Sequence, residues 1–109
     1  MNQANNVSNQ LAALHRQIDA AKQELGQLER KKQDIKMKQE EASREKAFRI
    51  REVSGLPDSV QRISALTHEM HTTLSAFFRD LGRVNEEIRT VERNIEEKKR
   101  ECERLLQNA

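Results

Sequence analysis

The chain has 109 residues, of which 35% are charged and 35% hydrophobic, with three Phe, no Trp and no Tyr. A globular domain of this length normally buries a core with aromatic members, so this balance favours long solvated helices over a compact globule. Twenty Lys or Arg against 18 Asp or Glu leave a net charge of +2, which gives no overall bias toward nucleic acid or membrane.

The polar opening Met1-Asn2-Gln3-Ala4-Asn5-Asn6 is unlike a signal peptide, and residues 1–7 are expected to be disordered. The first helix is expected over residues 8–53. Stepping alternately three and four residues from Leu11 meets Leu14, Ile18, Ala21, Leu25 and Leu28, six consecutive apolar positions of a coiled-coil seam. The same count then reaches Lys32, Ile35, Gln39, Ala42, Lys46 and Arg49 before Val53 and Leu56. Met37, Phe48 and Ile50 fall off phase. Either the seam drifts around the helix through a stutter, or this stretch is a solvated charged face with incidental apolar residues.

Residues 54–59 divide the chain. Gly55 suits the left-handed conformation that closes a helix, with Leu56 as its apolar contact. Pro57 cannot continue the first helix. The carboxylate of Asp58 is expected to cap a second helix, with Gln61 in the capping-box position.

That second helix is expected over residues 59–107. Its seam runs through Val60, Ile63, Thr67, Met70, Leu74, Phe77, Leu81, Val84, Ile88, Val91, Ile95, Lys98, Cys102 and Leu105, with twelve of the fourteen positions apolar. Such persistence indicates a left-handed coiled coil. The fold class is therefore all-α: a long antiparallel two-helix coiled-coil hairpin, expected to form part of a multi-helix oligomer or complex. Each helix would be about 70 Å long at 1.5 Å per residue. Leu11, Leu14, Ile18, Leu25 and Leu28 would close the hairpin against Val84, Ile88, Val91, Ile95 and Leu105. Two registers, half a heptad apart, fit the turn. Leu11 lies near Cys102 or Leu105, Ile18 near Ile95, and Leu25 near Ile88 or Val91.

Nearer the turn, folding back sets Leu66, Met70, Leu74, Phe77, Phe78 and Leu81 against Lys32, Gln39, Lys46 and Arg49. These six residues are the expected partner-binding face, because their apolar surface lacks an equally apolar intramolecular partner. From Arg30 to Arg51 there are nine Lys or Arg against four Asp or Glu. Arg30, Lys31, Lys32, Lys36 and Lys38 are accordingly the candidate contact for a polyanion, nucleic acid or acidic membrane. Interleaved Glu40, Glu41 and Glu45 and the scarcity of stacking aromatics argue instead for a solvated charged face.

Chemistry-bearing groups are sparse. His68 and His71 share a helix side, but zinc requires three or four ligands, so no metal is expected. Cys102 falls on the seam as a small apolar residue, without a histidine placed to activate it. Glu40-Glu41, Glu86-Glu87 and Glu96-Glu97 have no concave site to separate their pKa values. No phosphate-binding loop, dinucleotide turn or nucleophile elbow is present. No enzyme activity and no cofactor are expected. A single cysteine fits a reducing compartment, no apolar run approaches the roughly 18 to 20 residues of a membrane span, and an intracellular, cytoplasmic or nuclear location is expected.

No motif names a family. In general form the chain resembles the small helical-hairpin subunits of many assemblies, among them prefoldin-type chaperones, tethering and kinetochore complexes, nucleoporin coiled coils and secretion stalks. That resemblance implies a scaffold that binds partner helices, in a homo-oligomer or with other subunits. A prefoldin-like chaperone would grip clients with apolar residues at its helix tips, and near its C-terminal tip this chain has only Leu105 and Leu106.

Overall fold

The computed structural model describes residues 2–108, with side chains from Asn5 onward. They form two helices, α1 (Asn2–Val53, 52 residues) and α2 (Ser59–Asn108, 50 residues), which pack on each other as an antiparallel hairpin without strands. Helix α1 begins earlier than the expected residue 8. The stretch thought to be disordered is helical from Asn2, since no Gly or Pro interrupts it and extending an existing helix costs little.

Between the helices, the Ser54 amide donates to the Arg51 carbonyl at 3.3 Å and the Leu56 amide to that of Val53 at 3.1 Å. The Ser54 hydroxyl also donates to the Ile50 carbonyl at 2.7 Å. The Ser59 amide then closes a four-residue turn on the Leu56 carbonyl at 3.2 Å. Here the structure corrects two expectations. Among the described residues, no glycine has positive φ; the left-handed residue is Asp58, at φ 61°. With Pro57 before it, Asp58 occupies the third position of a type II turn, where positive φ is required and Asp is one of the few side chains that tolerate it. That conformation is not the extended one of a capping residue. It is the Asp58 backbone carbonyl, rather than its carboxylate, that joins α2, receiving the Arg62 amide at 3.1 Å.

The chain divides into two compact units, a terminal unit (Met1–Arg30 with Glu86–Ala109) and a turn unit (Lys31–Asn85). In the terminal unit, Leu14, Ile18, Ala21 and Leu28 of α1 and Ile88, Val91, Ile95 and Cys102 of α2 are buried. Leu11, Leu25, Lys98 and Leu105 are half-buried. Counted from the turn, these positions on α1 mirror those on α2 one for one, which sets Leu25 level with Val91 and Leu11 with Leu105. Shared grooves agree with this register: Ile18 lines one with Lys99 and Cys102, and Glu24 another with Val91 and Asn94. Ile18 thus falls between Ile95 and Cys102 along α2.

The turn unit is packed differently. Val84 is its one buried side chain among the described residues, at 2% exposure. Lys32, Ile35, Gln39, Ala42 and Lys46 of α1 continue the heptad but are only half-buried, as are Ile63, Met70, Leu74, Phe77 and Leu81 of α2. Near the turn the phase shifts by one residue on both helices. Ile50 takes the place expected for Arg49, and Leu66 that of Thr67, while Val60 stands 80% exposed. Each shift adds a second four-residue step, the eleven-residue spacing by which a coiled coil locally unwinds. The stutter therefore exists but recruits Ile50 alone; Met37 and Phe48 remain 61% and 59% exposed.

Candidate functional site

Three long polar side chains, Lys32, Gln39 and Lys46, recur every seven residues along the α1 seam of the turn unit. Each is half-buried, its aliphatic stem covering part of the seam, and the α2 seam residues Met70, Leu74, Phe77 and Leu81 are likewise only half-buried, whereas Val84, at the Lys32 end, is fully covered. Leu66, Met70, Leu74, Phe77 and Leu81 are half-buried on that seam, and Phe78, one position round the helix, is 62% exposed. Phe78 and Leu81 also line an open, mainly apolar groove of 660 Å³, whose α1 wall is Lys36, Gln39, Glu40, Ser43 and Arg44. Of the six residues expected to form a partner-binding face, five thus lie on the seam that faces α1, and two, Phe78 and Leu81, line a groove with an α1 wall. Only the helix pairing could supply that wall. Met37 and Phe48, three turns apart, lie on the opposite side of α1 from its seam and belong to no groove with Phe78.

A cross-helix ion pair joins the two helices of the turn unit. Lys46 Nζ donates to Glu69 Oε2 at 2.9 Å, and the Lys46 side chain is 16% exposed. This pairing was not foreseen from sequence, because its partners are 23 residues apart and only the register joins them. The hydrogen bond from Lys46, and next its charge, hold the Glu69 carboxyl below its ordinary range, with Arg49 and His68 adding to the field. A carboxyl whose folded pKa is depressed adds stability that is fully present above its unfolded value and disappears as pH falls through the folded value. Glu69→Gln should therefore lose stability at neutral pH and show a shallower decline on acidification below pH of about 4. Thermal melts across that range check this; superimposable curves would mean that the pair contributes nothing.

The basic stretch is compensated internally only in part. Lys38 pairs with Asp34 at 3.1 Å, Arg44 with Glu40 at 3.6 Å, and Arg49 with Glu45 at 2.7 Å, all one helical turn apart. Of the candidate polyanion contacts, Arg30, Lys31 and Lys36 are exposed, Lys32 is half-buried in the seam, and Lys38 is engaged by Asp34. Arg30 also belongs to the terminal unit and the other four to the turn unit. Their spacing around α1 does not gather them on one face.

His68 and His71 are exposed, and among the described residues no group of three or more His, Cys, Asp or Glu could hold a metal ion. Cys102 is buried at 8% exposure in the terminal unit. His15 lines an open groove with it, together with Asp19 and Lys22. The antiparallel fold makes that proximity, across 87 residues of sequence. No helix of the described residues is long and apolar enough to cross a membrane. In comparisons with known proteins, the chain matches no family model, no curated protein and no solved structure.

Proposed function

We propose that this protein is a non-enzymatic coiled-coil assembly subunit, in which the terminal unit holds the hairpin closed and the turn unit presents its apolar face to helices of a partner chain. The observation that carries this reading is the contrast between the units. Among the described residues, eight of the nine buried apolar side chains belong to the terminal unit, while in the turn unit Phe78, beside the groove, is 62% exposed and Val60, along the same side of α2, is 80% exposed. Apolar surface left open beside a groove is the usual mark of a protein contact, and large aromatics dominate the energetics of such contacts.

The test is a double substitution, Phe77→Asp with Phe78→Asp. In extract of the cells that make the protein, the unaltered chain should migrate on size exclusion well above 12.7 kDa, and the double variant as a free hairpin with its helicity largely kept. Loss of about 2 kcal/mol or more of docking energy is expected when such anchors are removed. If both chains migrate as free hairpins, the assembly reading fails.

A further inference from the structure

We infer that the occupant of the Phe78 face is a second copy of this chain, docked about a twofold axis so that Phe78 of each copy enters the groove beside Leu81 of the other. This rests on the assembly reading above and names its partner. Two observations support it.

The first is the placement of knob and hole. A twofold interface is made by one patch meeting itself, so the projecting side chain and the recess that receives it must lie on the same surface. Phe78 is 62% exposed and itself forms one edge of the 660 Å³ groove.

The second is charge. A patch that meets its own copy also meets its own charges, so like-charge repulsion disfavours a patch carrying a strong sign. The α2 face running through Val60, Ser64, Thr67, His71, Ser75 and Phe78, at helical three- and four-residue steps, has no Asp, Glu, Lys or Arg. The chain as a whole is 35% charged. Opposite it, Glu40 and Arg44 neutralise one another at 3.6 Å, which leaves Lys36 at the rim. The α2 side of the patch is free of charge, as the centres of interfaces tend to be, and the single net positive charge on the α1 wall is too small to oppose a second copy strongly.

Sedimentation equilibrium of the purified chain tests the inference. The unaltered chain should be a dimer at concentrations of about 10 μM, Phe78→Asp should weaken the dimer about 100-fold without loss of helicity, and Phe48→Asp should leave it within about twofold. Phe48 is the control because it is equally exposed yet lies on the far side of α1. An unaltered chain that stays monomeric overturns the inference. Equal weakening by both substitutions also overturns it, since the association would then be unspecific. A monomer alone that still enters a Phe77- and Phe78-dependent assembly in extract removes the second copy and leaves the assembly reading standing, whereas free hairpins in both settings remove both.

Discussion

Ile88→Ala lowers the unfolding free energy of the purified chain by about 2–4 kcal/mol, whereas Ile35→Ala costs about 1 kcal/mol. Both remove the same atoms from a seam position, so the difference isolates packing. Ile88 is 6% exposed in the terminal unit, ringed by other buried side chains, and truncation leaves a cavity that the two helices only partly close. Ile35 is half-buried in the turn unit between Lys32 and Gln39, where water already reaches the seam. Its loss removes less buried apolar area and creates no enclosed void. Urea titration at one fixed protein concentration gives both numbers. Equal losses would show that the turn unit has as firm a core as the terminal unit, which would undercut the exposed face on which the assembly proposal depends.

Gly26→Ala combined with Gly82→Ala should raise stability by about 2 kcal/mol, since each glycine inside a helix costs about 1 kcal/mol relative to alanine. The gain is free of steric conflict. A methyl at Gly82 would meet nothing within 4 Å, and one at Gly26 only the mobile Arg30 guanidinium at 3.8 Å. The two positions lie in different units, so their effects should add. For a chain of this length the melting midpoint should rise by about 8 °C or more. A midpoint that does not move would show that one of these glycines has a role the helix geometry does not reveal.

Legibility of the fold followed directly from the strength of the local signals. Twelve apolar residues in fourteen seam positions of α2, and a Pro-containing break at residues 54–59, leave few alternatives to a hairpin, because periodicity and chain reversal are written in neighbouring residues. The details that misled were those decided by competition among neighbours. Gly55 and Asp58 both tolerate a left-handed backbone, and it is the closure of the Leu56–Ser59 turn after Pro57 that assigns it to Asp58. Arg49 and Ile50 are adjacent, and the strict heptad selects the charged one. The helix instead spends an extra four-residue step to bring Ile50 inward, because desolvating a guanidinium costs more than a local change in supercoil.

The candidate site divides in the same way. Leu66 to Leu81 could be read as over-apolar from sequence alone, since that requires only counting against the polar run before Gly55. The groove between Phe78, Leu81 and the α1 wall could not, nor could the Lys46–Glu69 pair or the approach of His15 to Cys102. Those depend on which residue of α1 stands level with which residue of α2. Sequence by itself determined the helices, their reversal and the uneven distribution of apolar side chains, all of which are local or periodic properties. Tertiary structure alone decided the register, and with it the groove and the cross-helix ion pair. A half-heptad slip preserves every local preference while exchanging every long-range neighbour.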